Sequence, residues 1–244
     1  MTIDYNKLHK IYHHTKSNPV KKYSEQHTFF QILGNIHGKS VLDVACGDGY
    51  YTRLIKKSGA DKIIGVDISD KMIEKAVSIE KKNPLNIEYY VKDAKNLGNI
   101  GLFDYSTAVY LFTYANNINS LKLMCNQIYK NLKKNGVLVA LTLNPELSQK
   151  HMDYSKKYGA KMEIKEPIHN GSEINIEIET PYGPINFNNY FWDKQTYEMS
   201  LKNAGFKTIK WYDPLVSEKG IKKYGRQYFS DHLIAPGFAI IKCF

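Results

Sequence analysis

Apolar residues recur along this chain in two alternating rhythms. Short, mostly apolar runs at 41–46, 63–66, 87–91, 105–110 and 137–143 have the length and character of buried parallel strands. Between them lie stretches of helical spacing. One covers 50–58 and is closed by Gly59; a second is capped by Ser69 and turns Met72, Ile73, Ala76 and Val77 to one face. A third begins near Ser120 and aligns Leu121, Met124, Cys125, Ile128 and Leu132, with Gly136 ending the connection that follows. Two more helices, at 6–14 and 24–33, precede the first strand and are separated by Ser17-Asn18-Pro19. Alternating elements of this kind predict a doubly wound α/β sheet.

After Asn144-Pro145 the rhythm changes. Residues 161–168 and 173–179 alternate charged and apolar positions at period two, as half-exposed antiparallel strands do, and Asn170-Gly171 between them reads as a hairpin turn. With 184–191 they form an insertion above the edge of the sheet, either a substrate cap or a dimer contact. The α/β rhythm then returns. Asp193 caps a helix through Asn203, Gly205 stops it, and strands are predicted at 206–212 and 237–244.

Candidate chemistry concentrates where the first two strands end. The first strand breaks into Gly47-Asp48-Gly49, two glycines that let bare backbone lie against a ligand, and the second ends on Asp67, about 20 residues past the glycines, where a carboxylate can accept both hydroxyls of a ribose. A dinucleotide site asks for a third glycine, to bring helix close to strand and cradle a pyrophosphate; here that position is Thr52. Asp43 and Asp48 would repel a pyrophosphate. Acids suit a cation, and S-adenosylmethionine carries an ammonium and a sulfonium, with a ribose and no phosphate.

The runs V-L-D-V-A-C-G-D-G (41–49), V-D-I-S (66–69) and V-K-D-A (91–94) resemble motifs I, post-I and II of class I S-adenosylmethionine-dependent methyltransferases. The likeness continues more loosely through 103–115, 132–142 and 204–211. Within that superfamily S-N-P-V-K-K-Y-S-E, A-C-G-D-G-Y-Y-T-R and Y-L-F-T-Y-A are most similar to the toxoflavin-type N-methyltransferase group. Ala45 departs from the glycine that many members carry there.

The resemblance implies a Rossmann-like fold in one domain: an N-terminal helical lid (1–37), a cofactor-binding core (38–145), a small antiparallel β insertion or substrate cap (146–192) and the rest of the core (193–244). Its seven-stranded, mostly parallel sheet would hold the last strand antiparallel between the fifth and sixth. It also implies the site residues. Asp43, Ala45, Cys46, Gly47 and Gly49 would surround the methionine end, Asp67 the ribose, and Ile68, Met72, Asp93 and Ala94 the adenine, with Tyr23, Tyr110 and Leu111 completing the cofactor contacts. Asp43 and Asp93 taken singly are equally compatible with capping strand ends, and Met72 with ordinary helix core. Tyr12, Tyr23, Tyr114, Asn144 and Tyr190 are the candidate substrate contacts, an aromatic-walled pocket for a planar acceptor, although 19 tyrosines make chance placement easy.

Methyl transfer from a sulfonium obliges no acid, base or metal, so no catalytic residue is assigned and no metal expected. The expected reaction methylates a small molecule, a ring nitrogen of a toxoflavin-like heteroaromatic in secondary metabolism. An O-methyltransferase of a small carboxylate or phenol and an RNA-modifying enzyme are the rivals. A silent S-adenosylmethionine-binding protein is a further alternative. His13, His14, His151 and His169 read as solvated loop residues.

Composition narrows the partners. Net charge +10 comes from 34 basic and 24 acidic residues, but the lysines are spread in short pairs near helix ends, so a solvated surface is expected rather than a nucleic-acid face. Three cysteines without C-x-x-C spacing predict neither disulfide framework nor zinc, and a reducing cytoplasm is the expected compartment. No apolar run approaches the roughly 20 residues that span a bilayer, and the N-terminus lacks a basic segment followed by an apolar core. A monomer or homodimer is expected.

Overall fold

A computed structural model describes residues 18–165, 167–180 and 183–244; the expected helix at 6–14, with Tyr12, His13 and His14, lies outside them. A π-helical turn, Lys21–Glu25, runs into α1 (Gln26–Leu33). Then follow β1 (Ser40–Val44), α2 (Tyr50–Lys57), β2 (Lys62–Asp67), α3 (Asp70–Lys82), β3 (Ile87–Val91) and β4 (Phe103–Val109). A 3₁₀ turn, Phe112–Tyr114, leads to α4 (Ile118–Lys130) and β5 (Leu132–Leu143). The second half comprises α5 (Gln149–Lys156), β6 (Ala160–Ile164), β7 (Glu173–Ile178), β8 (Ile185–Tyr190), α6 (Lys194–Ala204), β9 (Ile209–Tyr212), α7 (Glu218–Tyr224), α8 (Ser230–Ile234) and β10 (Phe238–Cys243).

The main sheet has the order β3-β2-β1-β4-β5-β10-β9. Pairings are parallel from β3 to β5, and β10 runs antiparallel between β5 and β9, as the resemblance implies. Strand periodicity divides the core. Leu42, Val44, Ile64, Leu138 and Ala140 pack with α4 and α6, whereas Val41, Ile63, Val139 and Ile240 pack with Phe29, Leu33, Ile55 and Ile73 from α1, α2 and α3. Each buried Val, Leu, Ile or Phe among them contributes about 1.5–3 kcal/mol of transfer free energy. Two predicted caps form: Ser69 Oγ accepts the Met72 N–H at 3.3 Å, and Asp193 Oδ1 accepts that of Thr196 at 2.7 Å.

Several local expectations are corrected. The helix expected to begin near Ser120, α4, starts at Ile118, capped by Asn117, whose Oδ1 accepts the Ser120 N–H at 2.9 Å. Leu132 belongs to β5, which starts five residues before 137 because Leu132 pairs with Phe103 and Asn135 takes a left-handed conformation (φ 63°) that absorbs the register shift. The strand expected at 206–212 is reduced to Ile209–Tyr212. Asn170-Gly171 does not make a tight hairpin. Gly171 N–H donates to Phe191 O at 2.8 Å and Asn170 Nδ2 to Asp193 Oδ2 at 2.8 Å, so the pair anchors the insertion to the start of α6.

The second, three-stranded sheet, β6-β7-β8, is antiparallel throughout. Its inward residues Ile174 and Ile176 pack with Leu143 and Leu147, which sets the small sheet over the tip of β5. The buried Trp192 Nε1–H donates to Ala115 O at 3.0 Å and ties the end of the insertion to the turn after β4. Among the described residues no helix is long and apolar enough to cross a membrane.

Candidate active site at the carboxyl edge of the sheet

Between the strand tips and the small sheet lies a cavity of about 640 Å³. Its floor is the turn after β1. Ala45, Gly47 and Gly49 all have positive φ (61°, 55° and 77°), and two hydrogen bonds brace the turn: Cys46 N–H to Val66 O at 3.0 Å and Gly49 N–H to Cys46 O at 2.9 Å. Ala45 therefore holds the left-handed conformation that glycine adopts freely, at a cost of roughly 1–2 kcal/mol. The two glycines serve different ends. A Cβ on Gly47 would meet no protein atom within 4 Å, so its bare face opens into the cavity; a Cβ on Gly49 would collide with the Tyr89 hydroxyl and the Arg53 guanidinium. Gly49, expected to admit the ligand, instead admits the packing of β3 and α2 against the turn.

Asp43 is 1% exposed and accepts hydroxyls on both oxygens, from Thr52 at 2.6 Å and Thr107 at 2.7 Å. Thr52, the residue in place of a third glycine, is thus the clamp that joins α2 to β1. Burial pushes the Asp43 carboxyl up to about 6, against those two hydrogen bonds and with the help of the Asp67 charge. The Cys46 thiol beside it is also pushed far up, first by burial and then by the aspartates around it. Asp67 accepts the Gly47 N–H on one oxygen and the Ser69 N–H on the other, at 2.8 and 2.9 Å. Asp93 Oδ1 takes the Lys95 N–H at 2.8 Å.

Of the residues expected from the sequence, Asp43, Ala45, Cys46, Gly47, Asp67, Ile68, Met72, Asp93, Ala94, Tyr110, Leu111 and Tyr114 line this cavity together. Others do not. Tyr23 is buried against Tyr224, ring centroids 5.7 Å apart, and packs on Gly220. The Asn144 amide is engaged by Pro236 O at 2.8 Å, which pins the end of β5 to the start of β10. Tyr190 lies one position from Asn189, which lines the cavity, and strand alternation sends it to the opposite face of β8. His151, rather than standing free in a loop, completes a capping box with Ser148 at the start of α5, its ring nitrogen 2.7 Å from the Ser148 hydroxyl.

The cavity also contains residues not among the expected site residues. Glu25, at the end of the π-helical turn, is 4% exposed and receives the Tyr51 hydroxyl at 2.9 Å and the Tyr110 hydroxyl at 2.6 Å. Above it the small sheet supplies Met162, Ile176, Ile178, Ile185 and Phe187. The wall facing the strand tips is therefore mainly aliphatic, where a ring of tyrosines was expected. Period-two alternation in 173–179 could have pointed to Ile176 and Ile178; Glu25 ends the run S-N-P-V-K-K-Y-S-E that carries part of the resemblance, but nothing in that run indicates that its side chain faces a cavity.

S-adenosylmethionine is the cofactor that this edge fits. Gly47 leaves open space, Asp67 presents a half-exposed carboxylate at the tip of β2, Ile68 and Met72 offer apolar flanks, and the floor is acidic.

Residues 41–136 match the family model described as "Methyltransferase domain". A protein of Haemophilus influenzae described as uncharacterized is 29% identical over 56% of this chain and 55% of its own length. The ubiquinone biosynthesis O-methyltransferase of Pelagibacter ubique is 33% identical over 44% of this chain and 43% of its own. The chain thus spans about half or less of the length of these relatives. Among solved structures, an S-adenosylmethionine-dependent methyltransferase from Clostridium acetobutylicum is similar over 98% of both chains with a TM-score of 0.64 at 18% identity, a likeness of fold.

Proposed function

We propose that this chain, with its methyltransferase domain at 41–136 and its Rossmann-like methyltransferase fold, transfers a methyl group from S-adenosylmethionine to a small, largely apolar acceptor, at a ring nitrogen of a heteroaromatic of the toxoflavin kind. The observation that carries the acceptor class is the roof over the strand tips. Met162, Ile176, Ile178, Ile185 and Phe187 close the cavity with apolar surface, and Tyr110, Tyr114 and Asn189 are polar side chains near that wall. Such a roof favours a flat or compact apolar ligand and offers little to a phosphate backbone.

The cavity also favours nitrogen over oxygen. A hydroxyl acceptor gains from a base in reach, but no histidine lines the cavity among the described residues. A neutral ring nitrogen needs only its lone pair aimed, and loses any proton afterwards.

When bound, the cofactor supplies a methyl carbon already activated by a positive sulfur. The acceptor nitrogen would take that methyl as the C–S electron pair returned to sulfur. The chain supplies alignment. The turn at 45–48 would present backbone to the donor, Asp67 would hold the ribose, and Ile68 and Met72 would flank the ring. Leu111 and the roof exclude water and press the acceptor toward the tip of β4. Alignment of this sort is worth about 7–11 kcal/mol of barrier in favourable cases.

Incubation with S-adenosylmethionine and an acceptor panel tests the proposal: azapteridine-type heteroaromatics, phenols, small carboxylates and RNA. S-adenosylhomocysteine should form with a heteroaromatic nitrogen. Turnover confined to RNA or to hydroxyl acceptors would overturn the acceptor class, and no turnover with any of them together with no donor binding would overturn the whole proposal.

A further inference from the structure

Glu25 is a carboxylate out of place. It is 4% exposed, lines the cavity, and accepts two phenols, Tyr51 from the first turn of α2 and Tyr110 from the tip of β4. Among the described residues it has no ion pair. The ammonium of Lys21 stands over the Tyr110 ring, 5.9 Å from its centroid, on the same side of the cavity. Two neutral donors offset only part of the several kcal/mol that burying a carboxylate costs. Tyr110 is itself held in a left-handed conformation, φ 58°, with its N–H on Leu141 O at 2.7 Å, so the pair of phenols is mounted on rigid backbone.

Position indicates what would compensate that charge. The sheet order places β2, with Asp67 and the following Ile68, on one side of β1, and β4, with Tyr110, on the other. A nucleoside whose ribose meets Asp67 must lay its remaining end across the turn at 45–48 toward Glu25. In S-adenosylmethionine that end bears both positive charges. Asp43, the acid expected there from the sequence, keeps both oxygens on Thr52 and Thr107 inside the sheet edge, whereas Glu25 reaches the cavity from above.

We propose that Glu25 is the counter-charge for the cationic methionine end of the methyl donor, positioned by Tyr51 and Tyr110. It rests on the donor named above and deepens it by assigning charge recognition to the segment before α1. Each Glu25 oxygen keeps a free lone pair after accepting one phenol, so a ligand N–H can be received without breaking the cluster.

Calorimetric titration of wild-type protein, Glu25→Gln and Glu25→Asp with three ligands is the test. The ligands are S-adenosylmethionine (ammonium and sulfonium), S-adenosylhomocysteine (ammonium only) and 5′-methylthioadenosine (neither). Glu25→Gln should bind S-adenosylmethionine about tenfold or more weaker while methylthioadenosine stays within about twofold of wild type. Glu25→Asp, keeping the charge, should fall between. Weakening of S-adenosylhomocysteine as well assigns the contact to the ammonium; weakening of S-adenosylmethionine alone assigns it to the sulfonium, and both support the proposal. Unchanged S-adenosylmethionine affinity overturns it, as does an equal loss for all three ligands, which reports a damaged cavity and not a lost charge. Wild-type protein that binds none of the three overturns the donor first and Glu25 with it.

Discussion

Asp67 Oδ2 accepts the Gly47 N–H at 2.8 Å, so the acid at the tip of β2 and the glycine after β1 are joined before any ligand arrives. The carboxylate proposed to meet the ribose also shapes the floor proposed for the donor. Replacing Asp67 by alanine should therefore weaken S-adenosylmethionine by about tenfold or more, since a charge-assisted bond is worth roughly 1.5–3 kcal/mol. Asp67→Asn, whose amide oxygen can still accept, should lose less. Equal calorimetric affinity for the alanine variant and wild type would exclude the ribose contact.

The two glycines of the turn separate by readout. Gly49→Ala meets Tyr89 and Arg53 at φ 77° and should destabilise the fold by about 1–3 kcal/mol. Because the strain is shared with Tyr89, combining it with Tyr89→Leu should cost less than the sum of the single losses in denaturant unfolding. Gly47→Ala, with open space around its Cβ but φ 55°, should lose only the roughly 1–2 kcal/mol of a left-handed backbone in stability and, in addition, donor affinity.

Asp43 should make donor binding pH-dependent. Its carboxyl is pushed up to about 6 by burial, so below that pH it is largely protonated, and a cation in the cavity favours the ionised form. S-adenosylmethionine affinity should rise as pH increases from 5 to 7 and level off above. Asp43→Asn should flatten that rise.

Stability carries the opposite sign at the same residue. A folded pKa above the unfolded 3.8 contributes stability that is fully present below pH 3.8 and is lost as pH rises through 6. Relative to wild type, Asp43→Asn should gain unfolding free energy between pH 4 and pH 7, by up to about 3 kcal/mol. Chemical denaturation at the two pH values checks it, and a constant difference would contradict the raised pKa.

Phe187 lines the cavity from β8, whereas the floor proposed for the donor is the turn after β1. Phe187→Ala should raise the acceptor KM several-fold and leave donor affinity within about twofold, because truncating an apolar contact is worth about 1–3 kcal/mol of discrimination. A matching loss of donor binding would place Phe187 against the cofactor instead.

Residues close in sequence determined much of this molecule. The run 41–49 carries its own strand, turn and helix start, since alternating burial, two left-handed glycines and a following amphipathic stretch are local properties; Asp67 comes at the end of the next strand for the same reason. What only tertiary structure decided is which side chains share a space. Glu25 and Tyr110 are 85 residues apart and meet because α1 packs on β5 and β10, next to the tip of β4. The aliphatic roof arises because strand alternation and a packed Trp192 point Ile176, Ile178 and Phe187 at the strand tips while turning Tyr190 away. Local pattern sets the period of burial; the direction a side chain faces at the site depends on the register and packing of elements far along the chain.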